Sequence, residues 1–259
     1  MLMAIDAGNT NVVVALYDGK KVLHSWRCKT DANRTADEYA SWLYPLFDAA
    51  GLMFSKVTSA IISSVVPDAN FNLLRLCEKN FSCPPVMVGR DVAPDLVIKL
   101  SKPEEVGADR IVNAVAVKTH YKFPAVVVDF GTATTFDVVD AEGAYCGGVI
   151  APGVNLSMSA LHQAAAKLPR INIKKPNNVI GKETVEAMQS GIYWGYVSMI
   201  EGLVARISKE MGVKPYVIAT GGLASLFAQG TSVIEKIDED LTLKGLIAIH
   251  QPLKESKAA

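Results

Sequence analysis

The chain writes one acidic, glycine-punctuated hairpin twice. Residues 1 to 19 read MLMAIDAGNTNVVVALYDG, and residues 125 to 143 read AVVVDFGTATTFDVVDAEG. Each copy is an apolar run, then Asp-x-Gly, then small hydroxyl or amide residues. A second β-branched run follows, closed by an acidic residue and a glycine. A fold that accommodates both copies needs two comparable sheets, each with an apolar strand that delivers a carboxylate to a tight turn.

The segments around the hairpins repeat as well. In the first half, Leu2 to Ile5, Asn11 to Tyr17 and Val22 to Trp26 read as strands, with turns at Gly8 and at Asp18-Gly19. TADEYASWLYPLFDAAG then reads as a helix, with Thr35 as N-cap, Glu38 three residues on and Gly51 as terminator. VTSAIISSVVP is a buried-strand pattern ended by Pro67, DANFNLLRLCEKNF a helix, PPVMVG a short strand and EEVGADRIVNAVAVKTHY a helix. The second half gives strands at Val126 to Val128, Thr134 to Val139 and Tyr145 to Ile150, with turns at Gly131 and Gly143. Helices around 155 to 167 and 182 to 211 follow, and PYVIATGGLASLFAQ reads as strand, glycine turn and helix. The order β-β-β-α-β-α-β therefore occurs twice, which predicts two related α/β domains over residues 1–118 and 119–259.

Composition narrows the function. The 26 Lys and Arg balance the 26 Asp and Glu, so the net charge gives no support to nucleic-acid binding. Cys28, Cys77, Cys83 and Cys146 form no C-x-x-C pair and the four histidines are scattered, so a structural zinc site is not expected and the thiols suit a reducing compartment. The N-terminus lacks a basic n-region with a long apolar core, and no stretch approaches the roughly 18 apolar residues of a membrane span. The expectation is a cytoplasmic protein.

A hairpin with Asp-x-Gly at its tip presents a carboxylate beside exposed backbone N–H groups, and glycine permits positive φ and close approach of a ligand. Asn9, Thr10, Thr132, Thr134 and Thr135 add short side-chain donors. Such loops suit phosphate oxygens. A carboxylate needs a cation between itself and a phosphate, and Mg²⁺ with retained waters fills that role. One Asp-x-Gly tip alone is simply a good turn; two at equivalent places read as a clamp on a polyphosphate. No G-x-x-x-x-G-K-[ST] is present, so the chain carries no P-loop. The arrangement resembles the actin, sugar-kinase and Hsp70 superfamily, in which two phosphate loops are followed by an adenosine loop. IATGGLAS, with Gly221 and Gly222, holds that third place, although strand-Gly-Gly-helix is common by itself.

GADR at 107 to 110 is the remaining informative stretch. Asp109 is suited to accept a proton from an alcohol and Arg110 to grip a carboxylate; a helix-start Asp with a solvated Arg is the plainer reading. Taken in order, DAGNT at 6 to 10, GADR at 107 to 110, DFGTATT at 129 to 135 and TGG at 220 to 222 resemble type III pantothenate kinase over nearly the whole chain. SSVVP at 63 to 67 and GGVIAPG at 147 to 153 are similar to that family as well.

The resemblance implies two ribonuclease H-like (actin-like ATPase) domains, each a mixed five-stranded sheet flanked by helices, with the active site in the cleft between them. It implies ATP-dependent phosphorylation of pantothenate to 4′-phosphopantothenate, the first step of coenzyme A biosynthesis. Asp6, Ala7, Gly8, Asn9, Thr10, Asn11, Val12 and Val13 would form the first phosphate loop, and Thr132 would belong to the second. Gly107, Ala108, Asp109 and Arg110 would line the pantothenate pocket, with Asp109 as catalytic proton acceptor. Thr184 would contact substrate, although it reads equally well as a helix N-cap. Asp129 would sit at a monovalent cation site, K⁺ or NH₄⁺, and Asp6 would serve Mg²⁺ through water. The family is homodimeric. Many members carry Tyr three residues before the Pro of the GADR segment; this chain has Leu100 before Pro103, so a pocket hydroxyl is missing. Two other readings stay open here. One is a different kinase or an exopolyphosphatase of the superfamily, and the other is a non-enzymatic regulatory relative. A lost Asp109 or a damaged phosphate loop would favour the latter.

Overall fold

The computed structural model describes residues 1–164 and 168–256. It divides into two compact units, one built from Met1–Leu96 and Lys102–Thr119 with the chain from Thr242 onward, the other from Val97–Ser101 and His120–Leu241.

In the first unit, β1 (Leu2–Ala7), β2 (Asn11–Tyr17) and β3 (Val22–Lys29) form an antiparallel meander. After α1 (Ala36–Ala49), β4 (Ser59–Ser64) pairs parallel to β1, and after α2 (Pro67–Phe81), β5 (Pro85–Met87) pairs parallel to β4. The sheet order is β3-β2-β1-β4-β5. The alternation of apolar residues along β1 sorts them onto two faces. Met3, Ile5 and Ala7 pack with Tyr39, Leu43 and Phe47 of α1 and Leu73 and Leu76 of α2. Leu2 and Ala4 pack with Val112 and Val115 of α3 (Ala108–His120) and with Leu243, Leu246 and Ile247 of α7 (Leu241–Ser256). The predicted capping box of α1 is present: Glu38 N–H donates to Thr35 Oγ1, and Thr35 N–H donates to Glu38 Oε2 at 2.8 Å. Losing such a cap costs about 0.5–2 kcal/mol.

The second unit repeats the topology. β6 (Ala125–Phe130), β7 (Ala133–Val139) and β8 (Tyr145–Pro152) form the meander, β9 (Tyr216–Gly221) pairs parallel to β6, and the two-residue β10 (Lys236–Ile237) closes the order β10-β9-β6-β7-β8. Two helices, α4 (Val154–Ala164) and the 28-residue α5 (Thr184–Met211), stand where the first unit has α1 alone, and α6 (Ala224–Ala228) follows β9. The last residues of the helix expected to run to 167 lie outside the described residues. Val126, Val128 and Phe136 pack against Tyr193, Tyr196 and Ile200 of α5 and Phe227 of α6.

The units differ from the expected 1–118 and 119–259 at two places. The terminal helix α7 belongs to the first unit, because its apolar stripe covers the α3 face of the first sheet. Gly245 permits that approach: a Cβ there would collide with the Val112 carbonyl. Val97–Ser101 belongs to the second unit, where Lys99 N–H donates to Tyr145 O and Tyr145 N–H to Val97 O, both at 2.8 Å. Sequence order alone does not reveal either return.

Candidate active site

In the first unit, β1 carries Asp6 to the edge of the core and the chain turns over Gly8 to Thr10. The turn is closed by Gly8 N–H to Asn11 O at 3.0 Å. Thr30, just beyond β3, pins it from the side: its N–H donates to Thr10 O at 2.9 Å and its Oγ1 to Gly8 O at 2.6 Å. Asn9 and Thr10 are exposed and Asp6, Gly8, Asn11 and Val13 half-buried, so these can face a ligand. Ala7 and Val12 are fully buried in the core, and their side chains serve the sheet. Neither Gly8 nor Gly131 uses the positive φ that glycine permits. These glycines supply an open backbone surface rather than a left-handed turn.

The start of α3 lies in the same unit. Asp109 folds back over Gly107, its Oδ1 2.6 Å from where a Cβ on that glycine would lie, and accepts the Arg110 N–H at 2.8 Å. Val65, at the end of β4, lies 3.6 Å from the same Cβ position. Burial pushes the Asp109 carboxyl above the usual carboxylate range, opposed by the Arg110 N–H and guanidinium. A half-buried carboxylate made more basic in this way is a better proton acceptor.

In the second unit, Asp129 occupies the position of Asp6. Gly131 N–H closes the shorter turn to Ala133 O at 3.0 Å, and Thr132 is exposed at its tip. Phe130 stacks on Phe227 with centroids 5.2 Å apart, which fixes the root of the turn to α6. Gly221, the first glycine after TGG's threonine, has φ +87°. A Cβ there would lie 2.8 Å from Asp129 Oδ1 and 2.7 Å from the Phe130 carbonyl, so the glycine makes room for the carboxylate. Thr135 and Thr220 are the register partners of Asp129 on the neighbouring strands, and Thr135 Oγ1 donates to the buried Asp137 at 3.2 Å.

Among the described residues no three His, Cys, Asp or Glu side chains cluster to hold a metal. Asp129 offers one carboxylate among carbonyl and hydroxyl oxygens, which fits a monovalent cation. Asp6 offers one carboxylate beside an open turn, which fits a Mg²⁺ that keeps its waters and takes its other ligands from phosphate.

Thr184 is the first residue of α5, whose N-cap is Glu183 without a side-chain cap bond, so the N-cap reading of Thr184 is incorrect. Thr184 is exposed and lines a pocket of about 540 Å³ with Leu161, Leu168, Ala187, Met188 and Ile192. Leu100 packs in the second unit, its Cδ2 2.9 Å from the Cβ position of Gly147.

Two features that support the site were visible in the sequence only as motifs without roles. SSVVP places Ser63 beside Asp6 in the β1–β4 register. GGVIAPG places Gly153 behind the second turn, where a Cβ would overlap the Thr132 carbonyl. Gly153→Ala is therefore expected to displace Thr132 at a cost of about 1–3 kcal/mol for overpacking and, on the expected role of Thr132 in the second phosphate loop, to weaken nucleotide binding. Titration calorimetry with an ATP analogue checks it; unchanged affinity would mean that the turn yields without consequence.

A family model described as type III pantothenate kinase matches residues 2–206. The type III pantothenate kinase of Paramagnetospirillum magneticum is 58% identical over 252 residues, covering 97% of this chain and 97% of that protein. That of Brevibacillus brevis is 51% identical over 251 residues, covering 97% and 98%. Among solved structures, the activator of 2-hydroxyisocaproyl-CoA dehydratase from Clostridium difficile, with bound ADPNP, superposes with a TM-score of 0.57 at 13% identity, covering 99% of this chain and 97% of that one. Component A of the (R)-2-hydroxyglutaryl-CoA dehydratase of Acidaminococcus fermentans gives 0.54 at 14%, covering 100% and 99%. At such identities these likenesses show the fold, that of the actin-like ATPases. Sequence likeness that runs nearly end to end shows more: the chain belongs to the type III pantothenate kinase family.

Proposed function

We infer that the chain phosphorylates pantothenate with ATP, giving 4′-phosphopantothenate and ADP, and that Asp109 is the proton acceptor. The reaction follows from the family; the assignment of Asp109 rests on its burial and raised basicity at the start of α3. Asp109 takes the proton of the pantothenate 4′-hydroxyl as the oxygen bonds to the γ-phosphorus. The bond from that phosphorus to the β–γ bridging oxygen breaks, and ADP leaves with the electron pair. Arg110 contacts the pantothenate carboxylate, and Gly107 and Ala108 form the adjoining backbone. Asp6 to Val13 and Thr132 bind the nucleotide, their exposed members through backbone N–H groups and short side chains. Bound Mg²⁺ supplies charge neutralisation on the phosphates. Asp6 would hold it through water, and Asp129 would hold K⁺. The regulatory reading called for a lost Asp109 or a damaged first loop, and both are intact.

The chain is further proposed to work as a homodimer through α5. Ala187, Gly191, Gly195 and Ser198 fall on one exposed stripe of that helix, and nothing lies within 4 Å of a Cβ built on either glycine. The flanking Ile192 and Tyr196 are turned into the core of the second unit. Thr184 opens the same helix, so a partner there would adjoin its pocket.

Asp109→Asn is expected to keep the fold by circular dichroism and to lower kcat about 10²- to 10⁴-fold, roughly 3 to 5 kcal/mol of barrier. Activity within threefold of the parent would remove Asp109 from the role. Because the base must be ionised and its pKa lies above 3.8, kcat/KM of the parent should fall as pH drops through that raised value. For the cation, rates in K⁺, Na⁺ and Tris at constant ionic strength should be highest in K⁺; equal rates would count against a site at Asp129. Light scattering at micromolar concentration should give twice the monomer mass, and a fully active monomer would sink the dimer.

A further inference from the structure

Ser63 carries a hydroxyl that the fold leaves unused. Its side chain is 0% exposed, and its Oγ has no hydrogen-bond partner. Buried hydroxyls are nearly always paired, because an unpaired one bears its full desolvation penalty. Such an exception asks for a partner that is not always in place.

The register says which group that is. Asp6 and Ser63 are paired positions on the parallel strands β1 and β4. Met3, Ile5 and Ile62 face α1 and α2, whereas Ala4 and Ile61 face α3 and α7, so by alternation Asp6 and Ser63 share the α3 face. On that face Ser63 lies between Ile61, beneath α3 and α7, and Val65, beside Gly107 at the start of α3. The second sheet provides an independent parallel. Asp129, the counterpart of Asp6, is paired on its parallel neighbour β9 with Thr220, a hydroxyl only 2% exposed. Both copies of the duplicated sheet thus set a buried hydroxyl beside the strand-end carboxylate, although apolar residues would fill either place without a polar cost.

We propose that Ser63 is a positioning residue for Asp6: in the nucleotide-bound state its hydroxyl donates to the Asp6 carboxylate and fixes the orientation in which that carboxylate serves the phosphate site. The proposal rests on the reading of Asp6 as a nucleotide-site residue. Donation to a charged acceptor is stronger than a neutral hydrogen bond, so the gain is concentrated in the loaded state.

Ser63→Ala, Asp6→Asn and the double variant would be compared with the parent in two measurements: melting temperature without ligand, and calorimetric affinity for a non-hydrolysable ATP analogue with Mg²⁺. Ser63→Ala should melt no lower than the parent, since it removes an unpaired polar atom, yet bind the analogue about 10- to 100-fold more weakly. The double variant should bind no more weakly than Asp6→Asn alone, because the hydroxyl acts through that carboxylate. Ser63→Cys, nearly isosteric with a weaker donor, should bind between parent and alanine and serves if alanine loosens the fold. Ser63→Ala and Ser63→Cys affinities within twofold of the parent, with Asp6→Asn impaired, would overturn the proposal and leave Asp6 in place. A further loss in the double variant would also overturn it. Unimpaired Asp6→Asn would overturn the reading of Asp6 and this proposal with it.

Discussion

Each sheet depends on a central strand buried on both faces that ends in one carboxylate. β1 and β6 share the same profile: five of six residues are buried, and the half-buried exception is Asp6 in one and Asp129 in the other. A strand this apolar must sit mid-sheet with helices on both sides. Its antiparallel neighbour then fixes the turn that follows the carboxylate, and its parallel neighbour fixes what lies beside it. In open α/β sheets, ligands gather at the carboxyl ends of the strands. That is where both Asp-x-Gly turns lie.

Support for the turns comes from residues distant in sequence. Thr30 ties down the first turn through two hydrogen bonds, while Gly153 and the Phe130–Phe227 stack back the second. A turn held this way needs little reorganisation to receive a ligand. The two turns are not identical. Ala7 pairs with Val12 across four residues, and Phe130 pairs with Thr134 across three. The tighter second turn sets Gly221 against Asp129 and the Phe130 carbonyl; the wider first one exposes Asn9 and Thr10.

Asp109 shows what such a site does to stability. Burial holds its carboxyl above the usual carboxylate range in the folded chain. By linkage the folded form is favoured below the unfolded pKa, and that advantage is lost as pH rises through the folded one. Burial therefore makes the ionised form of Asp109 costlier in the folded chain than in the unfolded one. The Arg110 N–H and charge offset part of that cost without removing it.

Local chemistry made much of this legible in the sequence. Apolar and β-branched runs bounded by turn residues located the strands, Thr35 and Glu38 located the start of α1, and the doubled Asp-x-Gly turns with GADR between them identified the family. Those signals are short-range or repeated, so reading them needs no partner. Other features depended on segments meeting in space. Nothing local says that α7 returns to the first sheet, that Val97–Ser101 joins the second, or that Glu183 rather than Thr184 caps α5. Gly8 and Gly131 do not use the positive φ that glycine permits, which only the folded backbone reveals. The sequence by itself determined the two sheets, their order of strands and the carboxylates at their ends. Only the tertiary structure decided that Ser63 stands beside Asp6, that Gly153 backs Thr132 and that burial makes Asp109 basic, because register, close approach and desolvation exist only once the segments pack.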